Sequence, residues 1–386
     1  MIPENSVESR HYFDWASTAI PENLPPGLPL HYGNPSSLHQ EGRLARNALE
    51  SARCRCAKVL NVAPETLYFT SGGTESNCIV LFSHIGRQGG GKIAASVGEH
   101  SSITENLRTL ERLGRQTRSI PIDPLGRVTE SILTETLTKY NNVRFTAIMA
   151  VNNETGTIND IVNLQKITVN TEPPIHFHCD MVQAIGKIPI DIAGSGIDSA
   201  SFSAHKIGGP RGIGLLYLHK PLDALYSGGG QERNIRPGTE NVSGALALAS
   251  CLEKHALPET VAGEYAKAEA RCKRLISALK QIDRCKLIPA EREGDDYDSG
   301  FSPYIVQAGF KDIPGEVMTR ALDDLGFAVS TGSACSSSRP ERPVLAAMGI
   351  DDKLGLEGIR ISQGWATTDE EIDLLLEAIR EVLKFL

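Results

Sequence analysis

The spacing of apolar residues divides the first two-thirds of the chain into short strands and longer helices. Runs rich in β-forming residues predict strands at 66–70, 92–97, 116–122, 145–151 and 175–179. Apolar residues at helical spacing predict helices at 37–60, from Thr74 onward and at 102–113. This alternation predicts an α/β fold with a mainly parallel sheet flanked by helices, in which ligand groups come from the carboxyl ends of the strands.

The pattern changes after Val242, where long helical stretches replace the alternation. Helices are predicted at 241–256 and 259–282, and a polar segment at 291–300 leads into a smaller mixed region that ends in a helix at 368–386. We therefore expect a large domain over residues 13–250. A smaller α/β domain would be formed by residues 1–12 and 251–386.

The composition is that of an ordinary globular protein, with 386 residues, 40% of them hydrophobic, and a formal net charge of −8. This charge disfavours binding to nucleic acid or to anionic membranes. No apolar stretch approaches the roughly 20 residues of a membrane span, and no signal-peptide pattern is visible, so we expect a cytoplasmic protein. We expect reduced cysteines; Cys54 and Cys56 would point about 200° apart on a helix and cannot share a metal.

Two glycine-rich segments are candidate phosphate sites. The segment 86–92 fits the first part of a P-loop, but Ile93 stands where Ser or Thr should hold magnesium, so a surface loop is the better interpretation. The segment 71–76 follows a strand and opens a helix, which directs unpaired N–H groups and the helix dipole at one point. Gly72 and Gly73 would let the backbone approach an anion. A capped helix start without a ligand fits this segment equally well.

A strand near 176–180 carries two histidines and an aspartate. Alternation places His176, His178 and Asp180 on one face and Cys179 on the other. We do not expect a metal site, because buried histidines on strands are commonly structural. Asp180, at the carboxyl end of the strand, is suited to keep the nitrogen of a heteroaromatic ring protonated.

Lys206 and Cys335 are the two candidate nucleophiles. Lys206 follows an apolar strand among small residues, where a long side chain can turn inward; a desolvated lysine has a lowered pKa and can form a Schiff base. A solvated surface charge is the alternative. Cys335 lies among Gly and Ser between a predicted strand at 328–330 and a helix near Arg342, so we expect an exposed, reactive thiol. An exposed cysteine without a role is the alternative.

Taken together, these segments resemble the cysteine desulfurase family, within the class V aminotransferases that use pyridoxal 5'-phosphate. The resemblance runs nearly end to end and in order, and it implies a type I pyridoxal-phosphate fold. The matching segments are 32–37, 69–77, 99–100, 151–154, 180–184, 203–206, 230–233, 236–242 and 332–335.

The resemblance implies a role for each matching residue. Lys206 would carry the cofactor and move the Cα proton, Asp180 would pair with the pyridinium nitrogen, and Gln183 would bind the phenolic oxygen. His100 would stack on the ring and act as an acid–base group for the thiol. The phosphate would be held by Gly73, Thr74, Ser203 and His205, joined by Thr239 of the neighbouring subunit. Substrate contacts would come from Asn34, Asn153 and Arg360, the last binding the carboxylate.

The activity that the resemblance implies is conversion of L-cysteine to L-alanine by a homodimer with sites at its interface. Cys335 would take the sulfur as a persulfide and pass it to an acceptor protein, for iron–sulfur cluster or thiocofactor synthesis. The segment 335–345 is about one residue shorter than in the housekeeping type, the scaffold-docking extension is absent after Leu386, and Arg211 replaces the usual lysine. A selenocysteine lyase, a C–S lyase that yields pyruvate, and a non-enzymatic sulfur carrier are the alternatives.

Overall fold

The computed structural model describes residues 11–16, 33–85, 90–293, 300–332 and 342–386. Cys335 and most of the glycine-rich segment 86–92 lie outside these ranges. The strands are β1 (His11–Tyr12), β2 (Leu67–Thr70), β3 (Lys92–Ser96), β4 (Thr117–Ile120), β5 (Val143–Ala147), β6 (His176–Asp180), β7 (Ser199–Ser203), β8 (Gly214–Leu218), β9 (Cys285–Ile288), β10 (Ile305–Phe310), β11 (Phe327–Ala328) and β12 (Gly358–Ser362).

Helices separate most of these strands. They are α1 (Gln40–Leu60), α2 (Gly73–Phe82), α3 (Ser101–Arg112), α4 (Glu130–Lys139), α5 (Ile161–Val169), α6 (Ile192–Ser195), α7 (Val242–His255), α8 (Pro258–Leu279), α9 (Gly315–Asp324), α10 (Pro343–Ala347), α11 (Asp352–Glu357) and α12 (Asp369–Phe385). Among the described residues, none of the helices combines the length and the apolar character needed to cross a membrane.

A seven-stranded sheet in the order β2-β8-β7-β6-β5-β3-β4 forms the centre of the fold. The five strands from β7 to β4 run parallel to one another, whereas β8 runs antiparallel to both β2 and β7. Strands β7 and β8 are buried along their whole length, as strands covered by helices on both faces must be. The predicted α/β fold with a mainly parallel sheet is therefore confirmed.

Helix α1 shows how the residue pattern determines local structure. Its N-cap is His39, whose ring accepts the N–H of Gly42, and Asn61 ends it in the left-handed conformation. Cys56 is buried in the core and Cys54 is exposed, as the predicted divergence of the two side chains requires.

The fifth strand differs from its prediction, because β5 spans Val143–Ala147 and not 145–151. Beyond Ala147 the chain still follows β6, and Ile148 N–H donates to His178 O at 3.1 Å. The next N–H group, that of Met149, is taken by the Glu99 carboxylate at 2.7 Å. Ala150 N–H then donates to Asp180 O at 2.9 Å, so the contact with β6 continues past Ala147. The pairing of β5 with β3 ends at Ala147, and at Met149 a side chain takes the N–H that lies between the two bonds to β6.

A second, smaller sheet has the order β12-β10-β9 and is antiparallel, and β1 pairs with β11. Its core contains Phe13 together with buried side chains between Cys272 and Val382, whereas the larger core draws mainly on residues between Ala45 and Leu252. The division into domains near residue 250 stays a prediction.

Candidate functional site

A cavity of about 680 Å³ lies at the carboxyl ends of the parallel strands, within the usual volume of small-molecule sites. Asp180 ends β6 and Ser203 ends β7, so the sheet itself brings these side chains to the cavity. Ten of the residues predicted from the sequence line it: Gly73, Thr74, His100, Asn153, Asp180, Gln183, Ser203, His205, Lys206 and Arg360.

Three predicted residues are not brought to this cavity by the described chain. Asn34 is exposed, and its Oδ1 accepts the N–H of Ser36 at 2.9 Å. Thr239 is also exposed. Cys335 lies outside the described residues; Gly332 and Pro343, which stand shortly before and after it, both line the cavity.

One end of the cavity is built for an anion. Helix α2 begins there at Gly73, and its N-cap Gly72 has a φ of 153°, a conformation open to glycine, with no side chain of the described residues capping the helix. A Cβ on Gly73 would lie 2.7 Å from Val182 Cγ2, so the close packing requires glycine. The free N–H groups and the helix dipole favour a phosphate.

His205 lies beside this anion site. Burial, and then the charge of Lys206, lower the pKa of His205 to about 4. The imidazole is therefore neutral at physiological pH and offers an N–H without bringing a second positive charge next to Lys206.

Lys206 and Gln183 meet at one backbone carbonyl. Lys206 Nζ donates to Ala16 O at 2.6 Å, and Gln183 Nε2 donates to the same oxygen at 2.8 Å. Gln183 Oε1 accepts from Lys187 Nζ at 2.8 Å. Since its oxygen accepts from Lys187 and one N–H donates to Ala16 O, Gln183 has a second N–H with which it can bind a ligand.

Lys187 is only 2% exposed, although it carries an amine. Burial, and then the charges of Lys206 and Arg360, lower the pKa of Lys187 to about 7. Sequence reasoning did not single out this lysine, because a lysine side chain is ordinarily solvated.

Two hydrogen bonds hold Asp180 in a fixed orientation at the cavity. Its Oδ1 accepts the N–H of Val182 at 3.0 Å and its Oδ2 accepts from Asn77 Nδ2 at 2.8 Å. Glu99 is buried nearby, and burial together with the charge of Asp180 raises the pKa of Glu99 well above its ordinary value.

Arg360 is buried and already partly bonded. Its Nη2 donates to Asp14 Oδ1 at 2.8 Å, and its Nη1 donates to Asn153 O at 2.9 Å and to Gly332 O at 3.3 Å. Its Nε has no partner among the described residues. The guanidinium is thus fixed at the cavity wall with donor capacity left for an anionic ligand.

His100 is the N-cap of α3. Its Nδ1 accepts the N–H of Ser102 at 3.1 Å and lies 2.9 Å from Ser102 Oγ. Burial is the main cause that lowers the pKa of His100. Sequence reasoning found His100 but missed the polar side chains of the hydrogen-bond network that leads to it. Their one sign in the sequence is a hydrophilic residue at a strand or helix position where an apolar one is expected. These residues are Asn77, Ser102 and Ser199.

The donor set suits pyridoxal phosphate. The glycine start of α2 fits a phosphate, the buried Asp180 fits a protonated ring nitrogen, the N–H of Gln183 fits a phenolic oxygen, and Lys206 fits an aldehyde. No group of three or more metal-binding side chains occurs in the described part of the chain.

Comparison with known proteins gives three kinds of similarity. The family model for aminotransferase class-V matches residues 18–375. The cysteine desulfurase IscS of Dictyoglomus turgidum is 35% identical over 388 aligned positions, covering 97% of this chain and 94% of that protein. A solved NifS-like protein superposes with a TM-score of 0.87 at 32% identity, over 98% of this chain and all of that one. A structure of SspA in complex with cysteine superposes with a TM-score of 0.73 at 25% identity, over 91% of this chain and 98% of that one.

Proposed function

The chain belongs to the aminotransferase class-V family, as a pyridoxal-phosphate-dependent cysteine desulfurase, and we propose that it moves the sulfur of L-cysteine onto Cys335 and then to an acceptor protein. One observation carries this proposal: Lys206, Asp180 and the glycine start of α2 line the same cavity. Gly332 and Pro343 line the same cavity, which supports a role there for the segment that bears Cys335.

The cofactor would be held at both of its ends. Gly73, Thr74, Ser203 and His205 would bind its phosphate, Asp180 its ring nitrogen and Gln183 its phenolic oxygen. When bound, pyridoxal phosphate supplies an electron sink for the electron pair left at the substrate Cα. Asp180 would maintain the ring charge on which that sink depends, because its carboxylate, oriented by the hydrogen bonds from Val182 N–H and Asn77 Nδ2–H, would pair with the protonated ring nitrogen.

Substrate binding would use Arg360 and Asn153. The bond from Arg360 to Asp14 fixes the guanidinium plane, and its remaining N–H groups would bind the carboxylate of L-cysteine. Lys206, as a neutral amine, would then take the proton from the Cα and return a proton later. Its hydrogen bond to Ala16 O would hold the released amine near the cavity floor.

Cys335 would supply the sulfur acceptor. Its thiolate attacks the sulfur of the bound cysteine, an S–S bond forms, and the C–S bond of the substrate breaks. Cysteine and the Cys335 thiol thereby become alanine and a Cys335 persulfide, with no external oxidant or reductant. A thiol of an acceptor protein, such as an iron–sulfur scaffold, would then receive the outer sulfur.

We also propose a homodimer with the sites at its interface. Thr239 is exposed and does not line the cavity of its own chain, and Leu225 and Tyr226 are large exposed apolar side chains in the preceding segment. Such a surface suits contact with a second copy, in which Thr239 would complete the phosphate site of the neighbour.

Purified protein with L-cysteine and a thiol reductant tests the function. We expect a yellow protein that forms equimolar alanine and sulfide, and absence of alanine would refute the proposal. Cys335→Ala should keep the yellow colour and lose sulfide release, whereas the exposed Cys54→Ala serves as matched control and should retain both. Pyruvate and ammonia in place of alanine would indicate a C–S lyase.

A further inference from the structure

We propose that a directional hydrogen-bond network centred on Asn77 holds His100 in the neutral Nε2–H form, so that His100 faces the substrate as a hydrogen-bond donor and not as a base. The proposal rests on the desulfurase function above and assigns the chemistry of one residue within it. Asn77 and Ser102 are positioning residues in this scheme, since they act on the site through Asp180 and His100.

The direction of the network follows from Asp180. A carboxylate only accepts hydrogen bonds, so the Asn77 atom 2.8 Å from Asp180 Oδ2 is the NH₂ nitrogen. The same nitrogen lies 2.8 Å from Ser102 Oγ and uses its second hydrogen there. Asn77 is fully buried, and both of its N–H groups are therefore committed.

The hydrogen bond at the amide oxygen of Asn77 agrees with this direction. Its Oδ1 lies 2.8 Å from His178 Nε2, which must therefore carry a hydrogen. His178 is fully buried and has a pKa lowered to about 3 by burial, so its other nitrogen is an acceptor. Ser199 Oγ lies 2.8 Å from His178 Nδ1 and donates to it. His176 Nε2, 2.8 Å from the same hydroxyl, then donates to Ser199.

The branch through Ser102 reaches the active site. Because Ser102 Oγ accepts from Asn77, its one hydrogen is free for His100 Nδ1, 2.9 Å away. His100 Nδ1 also accepts the backbone N–H of Ser102. With two donors directed at it, Nδ1 has no hydrogen, and the hydrogen of the neutral ring resides on Nε2.

This assignment changes the roles of His100 and Lys206 in the site. A ring that carries hydrogen on Nε2 cannot accept a proton there, and Nδ1 is occupied. His100 would therefore stabilise negative charge, such as that on sulfur, by donating a hydrogen bond. Proton removal from the substrate is left to Lys206. The charges of Lys206 and Asp180 both act on the pKa of His100.

Nitrogen-15 NMR of the holoenzyme with labelled histidine tests the assignment. The His100 signals are identified by their loss in His100→Gln, and at neutral pH we expect a protonated Nε2 and an unprotonated Nδ1. A protonated Nδ1, or an imidazolium at neutral pH, would overturn the proposal. Lack of desulfurase activity alongside the expected spectrum would refute the proposed function and leave the tautomer assignment in place.

Variants separate the two branches. Ser102→Ala removes the hydroxyl donor and should shift the His100 signals towards a tautomer mixture, lower kcat roughly five- to tenfold and leave the cofactor absorbance unchanged. Ser131→Ala is the matched control, because Ser131 occupies the same second position of α4 and bonds the capping Thr129 at 2.9 Å. Asn77→Leu should change both the His100 signals and the cofactor absorbance. Unchanged His100 signals in Ser102→Ala and Asn77→Leu would refute the network.

Discussion

Replacing Lys187 by methionine should stabilise the protein at neutral pH. Lys187 is 2% exposed, and within the described part of the chain it donates one hydrogen bond, to Gln183 Oε1 at 2.8 Å. The charges that act on it, those of Lys206 and Arg360, are both positive. Methionine has a similar length and packs favourably in an apolar interior. A buried ammonium without an anion beside it is destabilised, because it loses its hydration.

The size of the effect follows from the pKa. The pKa of Lys187 falls from 10.5 to about 7, and at about 1.4 kcal/mol for each tenfold change in proton affinity this corresponds to at most about 5 kcal/mol of destabilisation. Loss of the hydrogen bond to Gln183 offsets about 1 kcal/mol of the gain. The net expectation for Lys187→Met at neutral pH is therefore a gain of a few kcal/mol.

The pH dependence has a defined sign. Because the folded pKa lies below that of the unfolded chain, the unfolded chain binds more protons between pH 7 and pH 10.5, and the wild-type protein gains stability as pH rises through that window. Below pH 7 both states are protonated and the destabilisation is complete. The advantage of Lys187→Met should accordingly be largest near or below pH 7 and should shrink towards pH 10.

Denaturant unfolding of wild type and variant, with and without pyridoxal phosphate, measures this difference at pH 7 and pH 10. Lys166→Met is the matched control, since Lys166 also donates to one amide oxygen, Asn163 Oδ1 at 2.9 Å, but is exposed. It should change stability by less than about 0.5 kcal/mol at either pH. A Lys187→Met effect of equal size at pH 7 and pH 10, or a loss of stability at pH 7, would refute the reasoning.

Three further predictions concern buried charges. Glu232 binds Arg53 at 2.6 and 2.8 Å, and Glu232→Gln leaves this buried arginine with the half-exposed Glu50 as its remaining carboxylate partner among the described residues. The substitution should cost about 3 kcal/mol in thermal unfolding, whereas Glu253→Gln, which breaks a partly exposed pair with Arg55, should cost less than about 1 kcal/mol. Asp180→Asn should alter the cofactor absorbance and lower kcat about 100-fold, because an amide does not favour a protonated ring nitrogen; an unchanged spectrum would contradict this. Arg360→Lys should raise the KM for L-cysteine roughly tenfold or more with a smaller change in kcat, measured by alanine formation.

The order of elements was accessible from the sequence because it depends on local periodicity. Helix α1, strand β3 and helix α7 lie within a few residues of their predicted bounds, and the side-chain alternation in β6 placed His178 and Asp180 on one face correctly. The end of β5 was predicted wrongly: regular pairing with β3 ends at Ala147, and beyond it only bonds towards β6 continue. The N–H of Met149 is taken by the Glu99 carboxylate, a contact between residues 50 apart in the chain.

The sequence by itself indicated the candidate chemistry, since Lys206, Asp180 and the glycine start of α2 lie in short segments whose residue types suit one task each, and the family resemblance implied the role of Gln183. Only the tertiary structure decided the protonation of the site. Lys187 became a buried amine and Asn77 the centre of a hydrogen-bond network because folding brings β6, α2 and α3 together. Burial and hydrogen-bond direction depend on partners distant in the chain, and no local pattern records them.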